Sequence, residues 1–599
     1  MSRTTTKTGE IARDPDLVTS SRMRGAAPLL IVLVIATAIY GSIYFREESI
    51  ATAIGANLVP AERVLKGEVP YRDFYKIQTP GILLLNAGLF KLLGTTLITA
   101  FAGVLVFKIL TVVMVFLIAR LILPLLTAVI PTLLTLVWLP PGGPFRPAPI
   151  QYEMLFLLAA IYFTLLWLDS KKAIHIFAAG LAVGFVAVFK QNVGVYAMIA
   201  LGLSIILNTR GLPHSVKAAT RLYLDSWKDG ARTHIAAAAG VCLPMAALLI
   251  YLASNRALRA ALRVFIQGPG EHIQMKFTGY PLPRYAAIIF ASGALALIAS
   301  AWSARRWPRL RNIINSLLLI SAAICALVVP QSAIDNSIYW FAPLLFLYAL
   351  WQYVRADQSE FAPEDRARGV LLILSLFAVA SFGEVFPRSV RGLIIGTMPP
   401  AFILFAFLFA GNLSAKRVRE FITAKTGIAF ALPNRPVAVA VISMVLALFA
   451  LRTILPHYFH FDSARRVKLK ADAPLDFDRG RGIRLPGRAA ADVNSTVEFI
   501  QSRVGENGYF FAHALDAASY YFLADRNSPT GATLWNDAGT NDLERGRTIE
   551  ALQSKEVRLV LTSEQALAGE HYKPLLDYLK NDFHQTATVG RTVFLERNY

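Results

Sequence analysis

The sequence is poor in cysteine, in charge and in the motifs of soluble catalysis. Two of its 599 residues are cysteine, Cys242 and Cys325. Both lie inside apolar runs and read as small core residues, which excludes a disulfide framework or a cysteine metal cluster. Charged residues make up 17% of the chain, against roughly 25% in a soluble protein. There is no glycine-rich phosphate loop, no dinucleotide fingerprint, no His-Glu-x-x-His helix and no Gly-x-Ser-x-Gly elbow. Zinc-finger and RNA-binding patterns are missing too, so nucleic acid is not an expected partner. No repeat or low-complexity segment stands out. Any enzyme built this way takes a substrate already at a membrane face, or one carried on a lipid.

What the sequence has is apolar length. Hydrophobic residues make up 55% of it and the mean hydropathy is +0.49. Apolar runs recur near the ~20 residues that cross a ~30 Å hydrocarbon core as a helix. The pattern predicts a polytopic helical membrane protein with about thirteen spans, near 27–45, 97–119, 121–139, 151–168, 174–190, 193–208, 234–253, 284–302, 313–330, 337–353, 368–386, 392–411 and 436–455. Residues 1–26 are basic, and no small-x-small cleavage site precedes Arg46, which predicts an uncleaved first span with a cytosolic N-terminus.

Loop charges agree with that start. Lys171 and Lys172, then Arg210, Lys217, Arg221, Lys228 and Arg232, then Arg305, Arg306, Arg309 and Arg311, then Lys416, Arg417, Arg419, Lys425 and Arg435 all fall in loops expected inside. The net charge of +21 is read mainly as this inside bias. The large outer regions are then 46–96, 254–283 and everything after about 456. The expected division is a membrane domain over 27–455, an irregular linker over 456–491 and a small outer α/β domain over 492–599, where helix and strand patterns alternate.

A charge at the centre of a membrane helix costs about 2.5–3.5 kcal/mol on insertion scales, so charges in or beside spans are worth naming. On the outer side these are Glu47, Glu48, Asp73, Glu153, Lys190, Glu271, Lys276, Asp335, Arg388 and Arg391. Basic residues on this side run against the positive-inside trend, and an anionic lipid head group would account for them. Each also has a plainer reading. Glu47 and Glu48 beside Arg46 form a charge cluster at a helix end. Asp73 pairs with Arg72 or Lys76, or caps the helix that follows. Glu153 is solvated at a helix start, and Lys190 snorkels. Tyr71, Phe74 and Tyr75 either line an acceptor groove or belong to an interfacial aromatic belt.

Three stretches carry a resemblance. "EESIATA" at 47–53, "GEVPYRDF" at 67–74 and "TPGILLLNAGLFKLLG" at 79–94 resemble the first outer loop of GT-C glycosyltransferases, in particular the lipid A aminoarabinose transferases and protein O-mannosyltransferases. The tail, including "YYFLADRNSPT" at 520–530, is similar to the extracytoplasmic domain of such enzymes. The resemblance implies an integral membrane enzyme with an extracytoplasmic C-terminal domain, and the lack of a eukaryotic sorting signal makes a bacterial inner membrane, with that domain periplasmic, the expected address. It would move a sugar from a polyprenyl-phosphate donor to a hydroxyl of a glycolipid, polysaccharide or protein acceptor, with inversion. No metal ligand set carries over, and a divalent cation is compatible with the group. The family's acidic pair falls on Glu47 and Glu48, with glutamate at the position more often aspartate. The base is then Glu47, Glu48 or Asp73, with Asp73 otherwise orienting base or acceptor. Arg72, Lys190 and Arg388 are candidates for the donor phosphate, and Tyr71, Tyr75 and Glu153 for the acceptor. The segment 387–393, "PRSVRGL", departs from relatives in lacking an acid and a histidine after the arginine. A transporter of lipid-linked sugars and a polysaccharide ligase or polymerase are the alternatives.

Overall fold

The computed structural model describes residues 15–47, 49, 52–139, 146–210, 216–266, 280–288, 291, 331–357, 365–386, 389, 391–410, 471–531, 542–570 and 572–598. It is mostly helical. In the first half the helices are α1 (Pro15–Gly41), α2 (Thr52–Leu65), α3 (Gly81–Leu93), α4 (Leu97–Ile122), α5 (Leu125–Trp138), α6 (Pro149–Ser170), α7 (Ala173–Phe189), α8 (Gln191–Arg210) and α9 (Val216–Ser254). Further helices run over Gln331–Asp357, Asp365–Phe382 and Met398–Ala410.

Among the described residues, five helices are long and apolar enough to cross a membrane, within 97–122, 149–170, 191–209, 230–254 and 366–385. Shorter apolar helices include those at 27–41, 125–138, 173–189 and 398–408. The expected spans 313–330 and 436–455, and most of 284–302, lie outside the described residues. The outward surface is apolar, as a lipid-facing surface requires: Leu126 is 85% exposed and Ile250 68%.

Close packing inside the bundle comes from small residues. Gly180 and Gly184 on α7 face Ala237, Val241 and Pro244 of α9, and Gly240 faces Phe177 and Gly180 in return. A β-carbon at Gly180 would collide with the Ala237 carbonyl, so the two backbones touch where glycine leaves room. Reversals are tight. Lys171, in the left-handed region, ends α6 before α7 starts, and Lys190 alone separates α7 from α8.

The region expected as one long outer loop is partly helical. Besides α3, the segment 52–65 forms α2, whose Ile54, Leu58, Val59 and Ala61 are buried. Those residues share a core with Phe90, Phe101 and, from the C-terminal region, Leu485, Tyr521 and Phe522.

The expected linker over 456–491 lies outside the described residues up to 470, and from 471 on it is not irregular. There β1 (Ala471–Pro474) pairs antiparallel with β2 (Arg484–Pro486), and a helix begins at Gly487. The cause is three apolar side chains in an otherwise charged stretch: Leu475, Ile483 and Leu485 are buried in the shared core. Beyond them β3 (Phe511–Ala512), β4 (Leu559–Thr562), β5 (Phe583–Val589) and β6 (Thr592–Arg597) form a sheet of order β3-β4-β6-β5. The pair β3–β4 is parallel and the others antiparallel, with helices Gly487–Arg503, Asp542–Ser554 and Lys573–Asp582 in the same region.

Candidate functional site

One end of the bundle gathers the segment from α1 to α4, the α5–α6 connection, the turn at Lys190, the end of α9 and residues 383–397. Hydrogen bonds across these segments hold it. Gln191 Nε2 donates to the Ile77 carbonyl (2.9 Å), and its Oε1 accepts from Thr79 N (3.1 Å). Lys76 Nζ donates to the Ala56 carbonyl (2.8 Å) and to Asn57 Oδ1 (2.9 Å). Asn57 Nδ2 in turn donates to the Pro147 carbonyl (2.8 Å).

Glu47 stands at this end, immediately after α1, and is 5% exposed. Its amide donates to the Arg484 carbonyl (3.0 Å), so the C-terminal region fixes the backbone there. Its Oε2 lies 4.0 Å from Arg146 Nε. Lys108, 2% exposed on α4, is within electrostatic reach of Glu47 and donates to the Leu139 carbonyl (2.9 Å). Thus one buried carboxylate has Arg146 and Lys108 about it, and Lys76 connects to the same place through Asn57 and Pro147. Glu48 lies outside the described residues.

Asp73 is built differently. Arg72 reaches it with Nε (2.8 Å) and Nη2 (2.7 Å), and its Oδ2 accepts from Val69 N (2.7 Å). This is a local turn with a bidentate partner next door in sequence. The Arg72 fork, aided by the Val69 amide, holds the carboxyl below its ordinary range despite some burial. Arg72 is engaged by Asp73 and by the Asn255 carbonyl (3.3 Å), and these contacts compete with the expected phosphate role. Tyr71 has a φ of 71°, an outlier for a bulky side chain. It is buried, its Oη donates to the Gln78 carbonyl (2.6 Å), and its ring meets Phe265 edge-on at 5.4 Å. Burial pushes its phenol well above the ordinary value. The expectation that Tyr71 faces an acceptor gives way to a structural part: hydroxyl and ring are both used inside the protein. Tyr75 is half-buried, and its amide donates to the Gly531 carbonyl (3.1 Å).

A second buried cluster forms where α6, the α7–α8 turn and 383–385 meet. Lys190 is ion-paired with Glu384 and also interacts with Glu153. Glu153 is 2% exposed, which removes the reading of a solvated acid at a helix start. Glu153 Oε2 and Glu384 Oε2 each lack a hydrogen-bond partner among the described residues. Lys190 neither snorkels nor stands free for a phosphate. Arg388 lies outside the described residues.

Lys108, Arg146 and Glu384 are not among the residues the sequence reading singles out. For Lys108 the signal exists: one lysine in the middle of a 26-residue apolar helix. Arg146 carries no such mark, since it sits in a proline- and glycine-rich connection. Among the described residues no three His, Cys, Asp or Glu side chains group as metal ligands.

No protein-family model matches the chain, and no curated protein matches it. Solved structures do. ArnT from Cupriavidus metallidurans in the apo state is 14% identical, with 97% of this chain and 98% of that one covered at a TM-score of 0.48. The same protein bound to undecaprenyl phosphate is 12% identical over 96% and 98%, at 0.40. The oligosaccharyltransferase AglB from Archaeoglobus fulgidus, in complex with an inhibitory peptide and a dolichol-phosphate, is 12% identical over 94% of this chain and 74% of that one, at 0.44. These neighbours are GT-C glycosyltransferases, the group that the first outer loop resembles. The likeness is one of outline, and the chemistry of the site stands on its own residues.

Proposed function

We propose that the chain is a membrane glycosyltransferase that moves a sugar from a polyprenyl-phosphate donor to an acceptor hydroxyl, at the end of the bundle that carries Glu47. That end faces the outside of an inner membrane in this reading, with the N-terminus cytosolic. The observation that carries it is Glu47 itself: a buried carboxylate just after the first helix, with Arg146 and Lys108 about it and Lys76 linked through Asn57. Such a group suits both halves of the transfer. The carboxylate takes the proton of the acceptor hydroxyl while that oxygen attacks the anomeric carbon. The bond from that carbon to the phosphate oxygen breaks, the electron pair leaves with the phosphate, and the sugar inverts. Fixed cations stabilise the charge that grows on the leaving phosphate, and a positioned base contributes about 10²–10⁴-fold.

Glu47 is the preferred base and Asp73 the holder of the loop. Arg146, part-exposed beside Glu47, joins Arg72, Lys190 and Arg388 as a candidate for the phosphate, and the buried Lys76 and Lys108 add positive charge behind it. Glu153, with Lys190 and Glu384, forms a buried charged cluster at the same end. The sugar and the acceptor, whether glycolipid, polysaccharide or protein, are left to experiment. Reconstituted protein is offered a panel of polyprenyl-phosphate sugars with a membrane glycolipid extract, and donor loss is followed by mass spectrometry. Donor consumption that disappears in Glu47→Gln supports the reading. Tight donor binding without consumption replaces it with a transporter of lipid-linked sugars.

A further inference from the structure

The second outer region contains a helix that the proposed transfer does not use. After α9 the chain turns through Asn255 and Arg256, whose φ is 58°. Residues 258–266 then form a nine-residue helix, "LRAALRVFI". Its side chains sort into three stripes by the three- and four-residue spacing of a helix. Ala257, Ala261, Val264 and Phe265 face inward, against Leu248 and Leu252 of α9 and against Val69 and Tyr71 of the first outer loop. Leu262 and Ile266, one turn apart, point out at 44% and 77% exposure. Arg259 and Arg263, also one turn apart, are exposed beside them, with Arg256 exposed in the turn before. Among the described residues no carboxylate pairs with these three arginines.

An exposed apolar stripe next to an exposed arginine stripe, anchored by a buried alanine stripe, matches a membrane surface. The apolar stripe would enter the acyl boundary while the guanidinium groups stay level with lipid phosphates, which their planar fork fits. The location sharpens the point. This helix lies at the same end as the first outer loop, where the positive-inside trend would not place arginine. We infer that the face formed by Arg256, Arg259, Arg263, Leu262 and Ile266 is a docking surface for anionic phospholipid head groups, which seats this end of the bundle on the bilayer and braces Tyr71 through Phe265. The inference does not depend on the transfer chemistry.

The test uses the full-length protein in detergent, titrated with phosphatidylglycerol or phosphatidylcholine and read by native mass spectrometry. Each arginine near an anionic surface contributes about 1 kcal/mol. Arg256→Gln/Arg259→Gln/Arg263→Gln therefore weakens the tightest phosphatidylglycerol site by about a hundredfold and leaves phosphatidylcholine binding alone. The control Arg481→Gln/Arg488→Gln/Arg591→Gln removes the same charge from exposed positions of the C-terminal region and leaves phosphatidylglycerol binding intact. Equal losses in the two triple variants mean diffuse attraction to a basic protein and overturn the inference. So does unchanged binding in the first triple variant. If that variant does not fold, the wild type decides: its phosphatidylglycerol preference weakens as salt is raised, and a salt-independent preference overturns the inference.

Discussion

The two halves of the segment between α1 and α3 use acids in opposite ways. At Glu47 the acid is buried, and its cationic neighbours Arg146, with Nε 4.0 Å away, and Lys108 come from distant parts of the chain. Near 66–76 the acid is half-buried, its partner is the next residue, and the contacts are 2.7–2.8 Å. Local partners close early and tightly and leave a carboxylate little to do but hold a turn. The cations about Glu47 are set by the fold, and in the reading proposed above that carboxylate is the one left for a substrate. Acidity and position in sequence look alike for Glu47 and Asp73, and the difference between them is who supplies the cation.

The contrast breaks first at Glu47. Glu47→Gln keeps the shape and removes the base, and donor turnover falls by about 10²–10⁴-fold in a protein that still folds. Wild-type turnover in that variant would erase the distinction between the halves.

Next in size is the tie between α2 and the C-terminal region. Arg479 grips Glu62 with two nitrogens (2.6 and 2.9 Å) and also reaches Asp525. The Arg479 and Glu62 side chains are 12% and 8% exposed. Arg479→Ala leaves the buried Glu62 carboxylate with the half-exposed Lys66 (2.8 Å) as its remaining cation and costs about 1.5–3 kcal/mol, measured by denaturant melts in detergent. Loss of less than about 1 kcal/mol would mean that water reaches the pair and that the loop does not lean on the C-terminal region.

A smaller effect follows from pH. Burial raises the Glu62 carboxyl, but Arg479 and Lys66 outweigh it and hold the group below its ordinary 4.5. A depressed carboxyl stabilises the fold at pH above its unfolded value, and that contribution is lost as pH falls through the lower folded value. The melting temperature should therefore drop below about pH 4.5, and drop less steeply in Glu62→Gln. An equal slope in the two proteins would assign the acid sensitivity elsewhere.

The smallest effect is expected at Asp73. Asn in its place still accepts from Val69 N and loses only a half-exposed ion pair, so stability changes by less than about 1 kcal/mol and turnover by less than about tenfold. A collapse of turnover to the level of Glu47→Gln would make both halves catalytic.

Much of the scaffold was legible in sequence, for reasons visible in single elements. The 26-residue α4 and the hairpin 583–597 follow from local pattern, apolar length in one and alternation around Gly590 in the other. Pattern did not reveal α2, because its short apolar face has meaning only against Tyr521 and Phe522, more than 400 residues on. The site divides in the same way. Glu47 and Asp73 were nameable from charge beside a span, and Lys108 could have been. Arg146 and the pairing of Lys190 with Glu384 were not, because nothing local marks a contact that only helix packing creates.

The segment between α1 and α4 depends on residues made more than 400 positions later. Gly55 N donates to Ser519 Oγ and Arg63 to the Thr530 carbonyl, across 464 and 467 residues of sequence. Gly55 is glycine because a β-carbon there would stand 2.8 Å from the Ala518 carbonyl carbon. During synthesis the loop leaves the ribosome hundreds of residues before these partners exist. Contacts this distant in sequence form late, so the loop waits in an unfinished state while the bundle assembles behind it. A chain stopped before residue 519 would hold every acid and cation of the proposed site and still lack the parts that close it.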